Sequence, residues 1–193
     1  MPDRIAAVVL AAGFSRRFGS DKLLHRLTLN GRTLPLAAHS LLPWLEVFDN
    51  VCVVTRIGAE TRKIADALNE DSRLSWAVCE HAGGGMAESL ACGVRANIDA
   101  AGWLIGLADM PHVTASSITG VRDALLKGTG VAAPAKNGRL GHPVGFSARY
   151  LDELLALEGD RGARHILERD DVRKFETQDE GIFFDVDLPS DLM

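Results

Sequence analysis

The sequence predicts an α/β fold: a Rossmann-like three-layer sandwich around a mainly parallel mixed sheet. Short apolar, β-branched runs alternate with amphipathic segments along most of the chain, the mark of repeated βα units. The runs are apolar on both faces, as strands covered by helices on either side must be. The chain has 193 residues, 47% hydrophobic and 24% charged, which suits one globular domain over residues 1–193 with a sizeable core.

The elements follow in order. Arg4–Leu10 reads as a buried strand. Leu23–Leu29 and Arg32–Leu34 flank Asn30-Gly31, the dipeptide that most favours a type I′ hairpin. A helix starts near Thr33 or Pro35 and runs to about Pro43, where a proline is expected to stop it. Val51–Thr55 is a strand, Glu60–Asn69 a helix and Leu74–Cys79 a strand. A helix over Met86–Asn97, a strand at Trp103–Leu107 and a helix from Thr114 or Ser116 to Leu126 come next. Val131–Pro134 and Val144–Phe146 are strands, and Ala148–Ala156 and Ala163–Glu168 are helices. A last pair of strands is expected near Val172–Phe175 and Ile182–Val186. In such a sheet, ligands gather at the carboxyl ends of the strands.

The first strand runs straight into Leu10-Ala11-Ala12-Gly13-Phe14-Ser15-Arg16-Arg17-Phe18-Gly19-Ser20-Asp21-Lys22. Gly13 and Gly19 permit positive φ and close backbone approach, so successive N–H groups can face a polyphosphate while Arg17 and Lys22 add charge. This is neither a P-loop nor a dinucleotide fingerprint. Lys22 stands three residues after Gly19, Leu23 occupies the place of the P-loop hydroxyl, and GxGxxG is absent.

The net charge of −5, from 21 basic and 26 acidic residues, argues against a general polyanion surface and hence against nucleic acid as a partner. Cys52, Cys79 and Cys92 lack metal-ligand spacing and read as buried thiols of a reducing cytoplasm. Apolar runs fall short of membrane-spanning length and Met-Pro-Asp-Arg does not open a signal peptide, so a cytoplasmic protein is expected.

Other candidates sit where binding loops belong. Asp109 follows the strand Trp103–Leu107 in Asp109-Met110-Pro111, which places one carboxylate at a strand's carboxyl end, where by itself it reads as a turn cap. Near the C-terminus, Asp185 and Asp187 would share one face of a strand and repel each other unless a cation intervenes. Asp191 fits a helix start better than a ligand. In Gly83-Gly84-Gly85-Met86-Ala87-Glu88-Ser89-Leu90 the glycines admit a ring to the backbone, and Ser89 offers a hydroxyl on the first helical turn. An ordinary helix start, with Glu88 facing the helix dipole, reads equally from those residues.

The run LAAGFSRRFGSDK resembles the MobA/MocA-like nucleotidyltransferases, which attach a nucleotide to molybdopterin. It is closer to the cytidylyltransferase branch than to the guanylyltransferase branch, whose loop usually begins LAGG. The resemblance extends along nearly the whole chain and implies the fold of the nucleotide-diphospho-sugar transferases. It implies nucleotide binding by Leu10, Ala11, Ala12, Gly13, Ser15, Arg17, Gly19, Lys22, Gly85, Met86 and Ser89, and an active centre with Arg17, Lys22 and Asp109. It also implies Mg²⁺ on Asp109 and Asp187, with Asp185 further out. The family's DIDTPED block is here Asp185-Val186-Asp187-Leu188-Pro189-Ser190-Asp191, in which Leu188 replaces a threonine hydroxyl. The family's GHP and GDxGAR blocks place acceptor binding on Gly141, His142, Pro143, Asp160 and Arg164.

The activity so implied is transfer of a nucleotide, CMP from CTP, to a phosphorylated pterin-type acceptor such as molybdopterin, with release of pyrophosphate and a molybdoenzyme as a further partner. His142 is not needed as a base, because a phosphate monoester with a second pKa near ~6 is already ionised at neutral pH. Three alternatives remain open. One is a guanylyltransferase or a transferase for another acceptor; another is a non-catalytic maturation factor that carries nucleotide or cofactor; the third is a redox protein on the same scaffold.

Overall fold

The computed structural model describes residues 4–159 and 162–192. Ten strands and six helices follow in the order β1 (Ile5–Leu10), β2 (Arg26–Leu29), β3 (Arg32–Pro35), α1 (Leu36–Val47), β4 (Val51–Arg56), α2 (Thr61–Ala67), β5 (Leu74–Cys79), α3 (Met86–Arg95), β6 (Gly102–Leu107) and α4 (Ala115–Leu126). They continue with β7 (Val131–Lys136), β8 (Arg139–Leu140), β9 (Val144–Ser147), α5 (Leu151–Leu155), α6 (Arg164–Arg169) and β10 (Arg173–Glu176). The main sheet has the order β10-β7-β9-β6-β1-β4-β5, with β8 beside β7, and β2 and β3 form a separate antiparallel hairpin. The α/β class and the mainly parallel sheet are as expected: only β9, against β6 and β7, and β8, against β7, run antiparallel.

β1 shows why the fold has three layers. Ile5, Ala7, Val9 and Ala11 join the core shared with Leu41 and Trp44 of α1, Ile64 of α2 and Ile118 of α4. The alternate residues Ala6, Val8, Leu10 and Ala12 join a second core with Leu90 of α3, Leu154 of α5 and Ile166 of α6. The two-residue period of a strand sorts one apolar run into both cores. Val8 and Val9 are fully buried, and each contributes roughly 1.5–3 kcal/mol by leaving water.

Two expectations are corrected here. Helix α1 passes through Pro43 and continues to Val47. Pro43 cannot donate back to the preceding turn, but Trp44 and Leu45 beyond it are buried, with the indole lying over Gly106 where any Cβ would strike it. Packing therefore outweighs the local preference. The second C-terminal strand does not form: Glu180–Phe183 is a 3₁₀ turn and 184–188 is irregular. This segment is tied down by single backbone bonds, His142 N–H to Ile182 O at 2.9 Å and Val186 N–H to Asp109 O at 3.0 Å, not by a ladder.

Smaller departures are matters of extent. The predicted helix Ala148–Ala156 begins as a 3₁₀ turn, Ala148–Tyr150, before α5. The hairpin turn is as expected, with φ of 52° at Asn30 and 74° at Gly31.

The chain moves from β1 outward to β4 and β5, then crosses to place β6 on the other side of β1. The carboxyl ends of β1 and β6 thus flank a topological switch point, where an open α/β sheet leaves a crevice. Among the described residues no helix is long and apolar enough to cross a membrane.

Candidate active site

The loop after β1 is fixed at its root by two backbone bonds, Ala11 N–H to Val54 O at 2.7 Å and Ala108 N–H to Leu10 O at 3.0 Å. Leu10, Ala11 and Ala12 are buried, and the chain emerges at Gly13. Ser15 takes the left-handed conformation, φ 49°, and its Oγ accepts the Lys22 backbone N–H at 3.1 Å, closing the loop on itself. Gly19 has φ 81° as expected, whereas Gly13 does not have a positive φ; the strained position is Ser15 instead. A Cβ at Gly13 would meet nothing within 4 Å, so its use is the open approach to its backbone. Phe18 is buried against Leu36 and Val186 and joins the loop to the C-terminal segment.

Lys22 is the hub. Its Nζ donates to Val186 O at 2.6 Å and lies 2.7 Å from Asp109 Oδ2 and 3.4 Å from Asp187 Oδ1, while Arg17 Nη1 lies 2.8 Å from Asp187 Oδ2. The four side chains form a line of alternating charge, Arg17–Asp187–Lys22–Asp109, at the switch point. Burial, the largest single influence, favours a neutral lysine, but the two carboxylates together outweigh it and hold the Lys22 pKa above its ordinary value. Asp187 is held in turn by Asp191, whose carboxylate accepts the backbone N–H groups of Asp187 and Leu188 at 2.9 and 2.7 Å. Asp191 lies in the short 3₁₀ helix Pro189–Leu192 and clamps the backbone that leads into it. The cation between the paired carboxylates is here a lysine ammonium. The pair is Asp109 and Asp187; Asp185 is exposed and does not share a strand face with Asp187.

Sequence reading passed over a supporting arginine. Arg56, at the carboxyl end of β4, donates to Asp21 Oδ2 at 3.1 Å, and Asp21 Oδ1 accepts Leu23 N–H at 3.2 Å to start the 3₁₀ turn that carries Lys22. The guanidinium groups of Arg56 and Arg16 lie 5.4 and 5.7 Å from the centre of the exposed Phe14 ring. Arg56 directly follows the predicted strand Val51–Thr55, whose place beside β1 only the fold supplies.

The Gly85 block begins α3. Gly85 has φ 115°, Met86 is exposed and Ser89 is buried on the first turns of the helix. Ala87 N–H donates to Gly159 O at 3.0 Å, and a Cβ on Gly162 would lie 3.4 Å from Met86 Sδ, so the segments on either side of residues 160 and 161 meet this helix start. Asp160 lies outside the described residues. The remaining acceptor candidates differ in exposure. Arg164 is exposed on α6 and paired with Glu168 at 2.9 Å. Gly141 and Pro143 are buried, and Gly141 packs so closely on Ile182 that a Cβ would clash with its carbonyl oxygen. His142 is largely enclosed, with Nδ1 buried and unpartnered, and burial lowers its pKa against the opposing pull of Asp109 and Asp185.

The donor set fits a hard divalent cation. Asp109 Oδ1 is buried without a hydrogen-bond partner, and Asp187 is within reach of the same ammonium. Among the described residues no group of three or more His, Cys, Asp or Glu side chains could hold a metal ion alone. Two carboxylates completed by phosphate oxygens are what Mg²⁺ or Mn²⁺ commonly uses.

An open α/β sheet with a basic loop and facing carboxylates at its switch point defines a nucleotide-binding enzyme of the phosphoryl- or nucleotidyl-transfer class. Residues 7–174 match the MobA-like NTP transferase domain. The chain belongs to that family and is a nucleotidyltransferase.

Solved structures agree. A homologue of Rv0371c from Mycobacterium sp. strain JC1 is 28% identical with a TM-score of 0.79, covering 99% of this chain and 94% of that one. Rv0371c from Mycobacterium tuberculosis in complex with manganese is 26% identical with a TM-score of 0.74, covering 97% and 95%. The molybdopterin-guanine dinucleotide biosynthesis protein A of Archaeoglobus fulgidus, at 20% identity, a TM-score of 0.67 and coverage of 97% and 95%, shares the fold. No curated protein gives a significant sequence match.

Proposed function

We propose that the protein, acting as one domain, transfers CMP from CTP to a phosphorylated acceptor of the molybdopterin type and releases pyrophosphate. The observation that carries this reading is the line of charge from Arg17 through Asp187 and Lys22 to Asp109. A structural ion pair at a strand end has no need of a lysine held between two carboxylates beside an open backbone loop.

In the reaction an acceptor phosphate oxygen attacks the α-phosphorus in line. A new P–O bond forms, the bond to the bridging oxygen of the β-phosphate breaks, and pyrophosphate departs with that electron pair. The N–H groups of the Gly13–Gly19 loop and the Arg17 guanidinium hold the triphosphate. Lys22 exchanges a carboxylate for a phosphate oxygen and offsets charge on the leaving group. Asp109 and Asp187 would hold a divalent cation, Mg²⁺ or Mn²⁺, which when bound supplies further neutralisation of phosphate charge. No proton need be removed from the acceptor phosphate, so His142 has no basic role. Gly85, Met86 and Ser89 border the nucleotide on the α3 side.

The choice of CTP rests on the LAAG resemblance. Ala12 is 3% exposed among α3-side core residues, so its methyl group does not narrow the open side of the loop. GTP is therefore the second reading. Pyrophosphate release measured with each of four NTPs, with Mg²⁺ or Mn²⁺ and a molybdopterin acceptor, tests both. Release with CTP alone supports the first reading, release with GTP alone the second, and release with none removes the transfer reading.

A further inference from the structure

A cavity of about 680 Å³ opens beside the charge line, walled by His112, Lys136, Asn137, Arg139, Phe183 and Phe184. That volume is in the range of small-molecule sites. Arg139 stands two residues before the family's GHP block, and the others belong neither to the loop nor to the Gly85 block. The cavity lies at the same edge of the sheet as Lys22. His112 is three residues beyond Asp109 and Phe184 three before Asp187, so these two walls are within roughly 10 Å of chain from a carboxylate of the charge line.

We propose that this cavity seats the body of the acceptor as a planar, hydrogen-bonding ring system, leaving its phosphate arm to reach the α-phosphorus at Lys22 and Asp109. The inference rests on the transfer reading above. Three features select a flat ring over a sugar or a second polyphosphate. The Arg139 guanidinium lies 4.3 Å from the centre of the Phe183 ring, a stacked platform that offers a delocalised cation and N–H donors to a heteroaromatic face or edge. The Phe184 ring is 38% exposed and held edge-on by His112 at 5.3 Å, a fixed apolar wall in need of a partner. Lys136 is already neutralised by Glu180 at 2.7 Å, so one guanidinium remains, too little charge for a polyphosphate seat. The Asn137 amide adds a donor and an acceptor for a ring edge.

Hydrogen bonds hold the turn behind Phe183 in place. Asp179 accepts bonds from Thr114 N–H, Thr114 Oγ1 and Ser117 Oγ at 2.9, 2.8 and 2.7 Å and from Gly181 N–H at 2.9 Å, clamping the turn that carries Phe183 to the start of α4. Gly181 presses on the His112 carbonyl, where no Cβ fits. The buried Gly141-His142-Pro143 segment then acts from behind, by anchoring the strand that presents Arg139.

The test uses the full chain with two probes, pterin-6-carboxylate as a flat, fluorescent, anionic ring and ribose 5-phosphate as a phosphate without a flat ring. The pterin is expected to bind, and Arg139→Ala to weaken it about tenfold or more, with Arg139→Lys recovering only part because the planar platform is lost. Phe183→Leu should weaken it as well, with melting temperature confirming the fold of each variant. CTP affinity should stay within about twofold throughout, and ribose 5-phosphate should not compete. Failure of the wild type to bind the pterin, equal affinity in Arg139→Ala, or loss of pterin binding in Lys22→Ala instead would overturn the proposal. Pterin binding lost in Arg139→Ala without pyrophosphate release from any NTP would count against the transfer reading alone. Pyrophosphate release with pterin binding unchanged in Arg139→Ala would count against this cavity alone.

Discussion

The Lys22 ammonium lies 2.7 Å from the Asp109 carboxylate and is the cation that lets Asp109 and Asp187 approach one another without nucleotide. This joins stability to the proposed catalysis at one atom. Lys22→Ala leaves a partly buried carboxylate and the Val186 carbonyl without their donor. Removing one partner of such a pair is expected to cost about 2 kcal/mol of stability and to lower nucleotidyl transfer by several orders of magnitude. Urea unfolding and pyrophosphate release check the two parts, and a variant as stable as the wild type would contradict the structural part. Because the Lys22 pKa is raised on folding, the stabilisation is fully present at neutral pH and is lost only as pH climbs past 10.5 through the folded value. The stability gap between wild type and Lys22→Ala should therefore close in alkali.

Asp109→Asn and Asp187→Asn test the same relationship from the other side. Mutual repulsion alone would predict that either change leaves the nucleotide-free protein as stable or more so. With Lys22 between the carboxylates, removal of either charge should destabilise, and Asp109→Asn more, since Asp109 is the nearer and the less exposed. Both variants should lose metal-dependent binding of NTP. Calorimetric titration with Mn²⁺ and CTP checks this, and normal metal dependence in Asp187→Asn would remove Asp187 from the cation site.

Much of the frame was legible because its signals are local. The two-sided burial of β1 follows from an unbroken apolar run, and the Asn30-Gly31 turn from backbone preference. What escaped is non-local. Helix α1 continues past Pro43 because Trp44 finds Gly106 on another element, which no window of sequence displays. The segment 182–186 looks like a strand by composition, yet its neighbours offer single hydrogen bonds at Asp109 and His142 and no edge to pair with. Of the site, Lys22, Asp109 and Asp187 were readable as residues, whereas the ammonium between the carboxylates needed the fold. So did the burial of Gly141 and Pro143.

Arg17→Ala should separate function from stability. Its side chain is 75% exposed, and its pair with Asp187 is open to solvent, so stability is expected to change by no more than about 0.5 kcal/mol. Nucleotide affinity should fall, more steeply at low salt than at high. Equal CTP affinity of wild type and variant at low ionic strength would show that Arg17 serves only to hold Asp187.

Cys92 supplies a prediction independent of the site. Burial, reinforced by the neighbouring Cys79 thiol, pushes its pKa up to about 11. Only the thiolate attacks a disulfide reagent, so at pH 8 about one molecule in a thousand is reactive at this position. Cys92 is half-buried, whereas Cys52 and Cys79 are buried, and burial raises the Cys52 pKa too. The folded protein should therefore react with Ellman's reagent far more slowly than a free thiol, and unfolding in urea should release all three cysteines at once. The rate for Cys92 should climb about tenfold per pH unit from 8 toward 10, as the thiolate fraction does. Fast labelling of the native protein at pH 8, or a rate that levels off near pH 9, would show that this thiol is neither shielded nor raised.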